Sequence, residues 1–301
     1  MQLAPIILFT YNRPFHTRKT IESLLENELA EQSDFYVYSD GPKSTKDETP
    51  IQEVRNFVKS VKGFKSVTLF DQPENLGIAR SVIKGVSEII NQHGSVIVME
   101  DDLISSPYFL KFLNEALDFY TNEPHVFSIS GYNHPPSLLK IPPDYPHDMF
   151  FSYRNASCGW GTWADCWNKA DWEVTDFAAF KADSERQQAF NRGGEDMSEM
   201  LTEAVEGKID SWAIRWSYTH FLYDALSVYP VYSYIDNIGH DGTGINSYRT
   251  NKYDNDLSKA VLNMNFLKEP RVDAQVAENF RQVYKRSLFK KIKRKIRKTL
   301  L

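Results

Sequence analysis

Three consecutive carboxylates, Glu100, Asp101 and Asp102, close the apolar run SVIVM at residues 95–99. A charge run of this kind has two readings. One is a solvated turn in which the repulsion is screened. The other is a set of ligands for a hard divalent cation, Mg2+ or Mn2+, which takes oxygen ligands and relieves the repulsion. The apolar run ahead of the triplet favours the second, because a buried strand ending there delivers carboxylates to a ligand crevice. One or two protein carboxylates with open positions suit a cation whose remaining ligands are diphosphate oxygens. A second group is Thr10-Tyr11-Asn12-Arg13-Pro14. It sets an aromatic ring, an amide and a guanidinium at the opening of a helix, suited to stacking a base and contacting phosphate. SDGP, around Asp40, is by itself an ordinary turn. NLGIARS places Asn75, Gly77 and Arg80 at a helix start, where a capped helix with a surface arginine is the alternative. In GWGTW, Gly159 and Gly161 leave room beside Trp160 for a ligand, and sugar C–H faces stack on indoles; a Trp-rich segment is otherwise core, the reading given to Trp163, Trp167 and Trp172.

Elements must position these groups. β-prone runs recur about every thirty residues, at 5–10, 35–39, 66–70, 95–99 and 126–130, with helix-period segments at 15–29, 49–61, 77–91 and 107–120 between them. Strand followed by helix, repeated, predicts an α/β fold with a mostly parallel sheet flanked by helices, in which ligands bind beyond the carboxyl ends of the strands. Three of the predicted strands end in the polar clusters named above. After residue 133 the pattern changes: HPPSLLKIPPDYPHD holds five prolines and reads as a long loop, and all six tryptophans fall between Trp160 and Trp216. That stretch, 134–270, predicts a mixed α+β lobe packed on residues 1–133, without another strand–helix repeat. Residues 271–301 form a third, basic segment.

Composition narrows the class. The chain has 301 residues, 42% of them apolar, enough for a sizeable core. No run of eighteen apolar residues suggests a membrane span, and MQLAPIILFTYNRP lacks the basic start and cleavage site of a signal peptide. Cys158 and Cys166 match no common zinc spacing and read as reduced, which points to a cytoplasmic location. Ten Lys or Arg and no Asp or Glu lie within 281–301, leaving a body of formal charge −15. An acidic body argues against nucleic acid as a partner. Within the tail, Tyr284, Leu288, Ile292, Ile296 and Leu300 recur every four residues, with Phe289 beside them. An amphipathic basic helix of this kind predicts peripheral attachment to an anionic membrane surface at the inner face; a solvated terminus is the alternative.

TYNRP, SDGP, ENLGIARSVIKGV and VIVMEDDL, in that order, resemble the GT-A glycosyltransferases that use nucleotide sugars. PIILFTYNRP, MEDDLISSPYFLKF, SYRNASCGWGTW and DSWAIRW are similar to the inverting β-1,2-N-acetylglucosaminyltransferases and their bacterial relatives. The resemblance spans roughly residues 3–245 and implies a metal-dependent transferase of polysaccharide biosynthesis. Its donor would be a UDP-sugar and its acceptor a glycan or lipid-linked saccharide. It implies that Thr10, Tyr11, Asn12, Arg13 and Asp40 surround the nucleoside, with Asp40 accepting from uracil N3–H, and that Asn75 and Glu100 belong to the same donor site. Asp102 would ligate the metal, Asp101 would contact ribose or sugar hydroxyls, and Arg80 would face the sugar or diphosphate. Glu-Asp-Asp replaces the Asp-x-Asp of many relatives, which leaves the division of labour within the triplet open. An inverting displacement calls for one carboxylate on the face opposite the leaving group. The resemblance assigns that role to Asp210 in DSWAIRW, with Glu195 and Asp196 in RGGEDM as rivals. His240 falls where many such enzymes have a late histidine that meets metal or diphosphate; as a lone loop histidine it would simply be exposed.

Two other classes remain. A sugar-nucleotide pyrophosphorylase would share the nucleotide-binding sheet, but TYNRP lacks the glycine-rich, lysine-containing signature of that class. A non-catalytic carbohydrate-binding or membrane-associated protein would account for the tryptophans and the tail, though not for an acidic triplet at a strand end.

Overall fold

A computed structural model describes residues 2–244 and 249–285. The first half alternates strand and helix: β1 (Ile6–Thr10), α1 (Pro14–Leu25), β2 (Asp34–Ser39), α2 (Thr45–Ser60), β3 (Ser66–Asp71), α3 (Ile78–His93), β4 (Ser95–Glu100), the short β5 (Leu103–Ser105), α4 (Phe109–Phe119) and β6 (Val126–Ser130). After the proline-rich stretch come β7 (Met149–Ser152), β8 (Trp160–Trp163), the short helices α5 (Ala164–Trp167), α6 (Phe177–Ala182) and α7 (Ser184–Phe190), then α8 (Met197–Val205), α9 (Ala213–Leu222), β9 (Leu226–Pro230), β10 (Ile235–Asn237) and α10 (Ala274–Val283).

All five strands predicted from the sequence are present, and the sheet is mostly parallel. Eight strands run in the order β3-β2-β1-β4-β8-β6-β9-β7. Pairings β2·β3, β1·β2, β1·β4 and β6·β9 are parallel; those of β8 with β4 and β6, and of β7 with β9, are antiparallel. Strands β1 and β6 are buried at every residue, as strands in the sheet interior should be. Helix α3 buries Val82, Val86, Ile89 and Ile90, a stripe at helical spacing, and stops at Gly94, whose φ of 84° is left-handed.

The expectation of no further repeat after residue 133 is corrected. Strand β9 follows α9 and pairs parallel to β6, and β7 and β8 extend the same sheet, so the second half completes the architecture begun by the first. GWGTW is likewise a strand. The space beside its glycines is filled by protein: a Cβ on Gly159 would meet Ile235 at 2.8 Å, and one on Gly161 would meet Leu117 and the Val96 carbonyl at 3.2 Å. Segment 271–301 is divided. Val276 and Phe280 of α10 pack with Leu139, Phe150 and Tyr229, which joins α10 to the folded body. The expected amphipathic helix beyond residue 285 lies outside the described residues.

Candidate active site

The parallel register decides which groups meet. Phe9 pairs with Glu100 and Thr10 with Ser39, so the ends of β1, β2 and β4 lie at one sheet edge. Beyond the edge, Arg13 reaches the acidic triplet: its Nη1 donates to Asp102 Oδ2 at 2.7 Å and lies 3.9 Å from Asp101. The Tyr11 N–H donates to Asp101 at 3.3 Å. Burial first, and the charges of Asp102 and Asp101 second, push the Glu100 carboxyl up to about 8. Burial and Asp102 likewise push Asp101 up to about 7. Asp102 Oδ1 is buried without a partner, and so is Thr10 Oγ1.

Strand β10 closes this edge. It pairs antiparallel with β5, setting Asn237 opposite Leu103, and brings the following turn over Asp102. Gly239 is required there, since a Cβ would stand 1.9 Å from Asp102 Oδ2. From the same turn Asp241 faces Arg13 at 3.6 Å and His16 at 3.0 Å. Two hydrogen bonds from Thr243, with the positive neighbours His16 and Arg13, hold the Asp241 carboxyl down at about 2. Sequence reasoning missed His16 and Asp241; only the adjacency of Asp241 to His240 hinted at the second.

Asp40 does not present a free carboxylate. Its Oδ1 accepts from Gly41 N and Leu76 N at 2.9 and 2.8 Å, and its Oδ2 from Gly77 N and Asn75 Nδ2 at 3.1 and 2.9 Å. Through these four donors Asp40 fastens loop 75–77 to the end of β2, and Asn75 is engaged in the same fastening, with a second bond to the Gly41 carbonyl. Asn12 donates to Asp47 at 2.7 Å, and the Tyr11 hydroxyl accepts from Lys43 N at 3.2 Å.

The loop that Asp40 holds leads into α3, and there the second half of the chain meets the first. Asp210 accepts from Ala79 N at 3.3 Å, and its other oxygen lies against Gly77, 2.6 Å from where a Cβ would stand. Arg80, one residue on, is exposed. Of the rival carboxylates, Asp196 is taken by Arg154 through bonds of 2.7 and 3.3 Å, and Glu195 has interactions of its own.

Trp160 is corrected to a core residue. It is 1% exposed, stacks on Trp212 with centroids 4.9 Å apart, and has Trp167 on a further side at 5.7 Å. His240 lies in the turn after β10, its ring 4.6 Å from that of Tyr253.

Among the described residues no three His, Cys, Asp or Glu are arranged to hold a metal ion. The donors at the triplet nonetheless fit a hard divalent cation that brings most of its own ligands, because Asp102 keeps one buried, unpartnered oxygen.

Against this geometry, the profile of glycosyl transferase family 2 matches residues 6–170, more than half of the chain. The chain belongs to glycosyl transferase family 2. The match covers β1 through α5 and so includes the triplet, the β1 edge and the loop held by Asp40. No curated protein sequence shows significant similarity. Among solved structures, Staphylococcus aureus TarS 1–349 is similar at 12% identity over 77% of this chain and 59% of that one, with a TM-score of 0.41. Its complex with UDP-GlcNAc gives 12%, 86%, 61% and 0.42. The mannosyltransferase PcManGT from Pyrobaculum calidifontis, in complex with GDP-Man and Mn2+, gives 11%, 54%, 44% and 0.37. The chain thus spans less than two thirds of each of these proteins, and the family assignment rests on the sequence match.

Proposed function

We propose that this family 2 chain transfers a sugar from a UDP-sugar to a saccharide or lipid-linked acceptor, with inversion at the anomeric carbon. The observation that carries the reading is the acidic triplet at the end of β4, set between Arg13 of the β1 edge and the turn after β10. Tyr11 and Asn12 would line the nucleoside, with Thr10 Oγ1 supplying an unsatisfied polar atom beneath them. Asp40 and Asn75 act at one remove, by fixing the loop that frames the same space. Asp101 would accept from ribose or sugar hydroxyls. Mn2+ or Mg2+, held by Asp102 with His240 as a further ligand, would supply charge to stabilise the departing diphosphate. Arg80 at the start of α3 would face the same phosphates or the sugar.

Asp210 is the general base in this reading. It would take the proton of the acceptor hydroxyl as that oxygen bonds to the anomeric carbon on the face opposite the leaving diphosphate. Its position at the junction of the two halves of the chain, beside Arg80, supports the assignment. Membrane attachment through residues 281–301, on the cytoplasmic face, fits a lipid-linked acceptor. Among the described residues no helix is long and apolar enough to cross a membrane.

The test is UDP-induced thermal stabilisation with and without Mn2+, alongside turnover of a panel of nucleotide sugars. Asp102→Ala is expected to lose the metal-linked shift. Asp210→Ala should keep that shift and lose transfer, with kcat lower by about 10^2- to 10^4-fold. Absence of any metal-linked shift with UDP or GDP would sink the transferase reading, and full turnover by Asp210→Ala would remove Asp210 as base.

A further inference from the structure

A cavity of about 420 Å3 lies against β10, the strand that closes the triplet's edge. Tyr132, just past β6, and Tyr229 of β9 line it from the sheet; Ser211 and Ala213 line it at the start of α9; Tyr253 and Tyr284 complete the wall. Asn237 and His240 also line it, and Asn237 is paired with Leu103, the residue after Asp102. Ser211 follows Asp210 in the chain. The cavity therefore adjoins both the acidic triplet and the carboxylate assigned as base.

Its chemistry is specific. Arg154 is the one Lys, Arg, Asp or Glu among the described residues of its wall, and its charge is already matched by Asp196 through two bonds. One face of the guanidinium is covered by the Tyr284 ring, 3.8 Å from its centroid. Tyr284 in turn bonds through its hydroxyl to His134 Nε2 at 2.8 Å, and the Tyr132 hydroxyl lies 3.3 Å from His134 Nδ1. Burial, helped by Arg154 and Lys252, lowers the His134 imidazole to about 4; burial raises the Cys158 thiol to about 12. Neither is charged near neutral pH. Among the described residues of the wall itself, a phosphate or carboxylate entering here would lose water and find no side-chain cation left unmatched. A neutral sugar ring would meet aromatic rings for its C–H faces and the hydroxyls of Ser157 and Ser211 for its own. The volume lies in the range of small-molecule sites, roughly 300 to 1,000 Å3, and suits one or two rings.

We propose that this cavity receives an uncharged sugar unit of the acceptor, so that the enzyme extends a neutral saccharide end rather than an anionic polyol-phosphate or uronate chain. The proposal rests on the transferase reading above and sharpens its acceptor. The Arg154–Asp196 pair sets the specificity by matching the one side-chain charge among the described residues of the wall.

Saturation-transfer NMR on the full chain tests it, with methyl β-D-glucopyranoside and methyl β-cellobioside as neutral probes and sn-glycerol 3-phosphate and methyl glucuronide as anionic ones. Transfer is expected to the neutral probes and not to the anionic ones. Ala213→Phe and Ser157→Phe, each of which narrows the cavity, should each weaken neutral-probe affinity roughly tenfold while leaving the UDP-induced thermal shift intact. Using both guards against one variant failing to fold. Equal or stronger transfer to the anionic probes, no transfer to any probe, or unchanged transfer in both variants overturns the proposal. A retained UDP shift in any of those cases leaves the transferase reading standing, whereas its absence in the wild type strikes that reading and not the cavity.

Discussion

Replacing Asp40 with Asn exchanges one oxygen for an NH2 group in a site where every neighbour is a donor. Asp40 is 8% exposed, and its two oxygens accept from Gly41 N, Leu76 N, Gly77 N and Asn75 Nδ2. Asparagine has one oxygen for these four donors, and whichever way the amide turns, its NH2 faces two of them. Two hydrogen bonds to a charged acceptor, each contributing about 1.5–3 kcal/mol, are lost, and the remaining two become neutral. Asn75 keeps its bond to the Gly41 carbonyl at 2.9 Å, so that anchor of the loop persists. The expected destabilisation is about 3–5 kcal/mol, a fall in Tm of roughly 5–8 °C for a chain of this size. Urea unfolding of Asp40→Asn against the wild type measures it, with UDP titration below the melting range as the second readout. Weaker UDP affinity should then appear only in proportion to the loosened loop 75–77. An unchanged unfolding midpoint with UDP binding abolished would refute the reasoning and return Asp40 to the nucleoside as a direct contact.

Two further perturbations probe the same framework. His220 is fully buried, bonded to the Trp216 carbonyl and Ser128, and burial lowers its imidazole to about 4 against about 6.5 when unfolded. The unfolded chain therefore takes up this proton at higher pH than the folded one, so stability is lost as pH falls from 6.5 towards 4, by roughly 3 kcal/mol in all. The stability gap between wild type and His220→Gln should narrow by that amount over this window in urea unfolding, and a constant gap would contradict the assignment. Gly239→Ala places a methyl group where Asp102 Oδ2 now lies, 1.9 Å away. The Mn2+-linked UDP shift should be lost with a stability change of only about 1–2 kcal/mol; a full shift in this variant would exclude Asp102 as a metal ligand.

The first half of the fold was legible because each strand is a short run rich in β-branched, aromatic or aliphatic residues and each helix shows its period. Leu8, for example, has buried neighbours on both sides in β1, flanked by parallel β2 and β4. The second half was not, for a physical reason: β8 is four residues long, has two tryptophans and a glycine, and runs antiparallel between β4 and β6, so its pattern carries no period. The same brevity made Gly159 and Gly161 read as space for a ligand when they are space for Ile235 and Leu117. The acidic triplet was legible from residue type and position alone. The partners of Asp40 and Asp210 were not, because most of those contacts join residues 36, 37 and 131 positions apart through backbone N–H groups that no side-chain pattern announces. The cavity had even less signal in the sequence, since its wall is assembled from the loop between β7 and β8, from β9 and α9, and from residues just past β6 and α10.

The three carboxylates at the end of β4 are held in the fold by two different means. Asp101 is buried and Glu100 half-buried, and their raised proton affinity lets the site shed charge when nothing neutralises it. Asp102 is neutralised by the chain itself, through Arg13 at 2.7 Å, while its other oxygen stays buried and unpartnered. Arg13 is in turn shared with Asp241 from the turn after β10, so the positive charge that balances the triplet is positioned from both sides of the site. A divalent cation arriving with a nucleoside diphosphate would meet one carboxylate oxygen ready to bind and a guanidinium already beside it. The triplet is thus tolerable without a ligand, and its capacity for more positive charge is concentrated on Asp102.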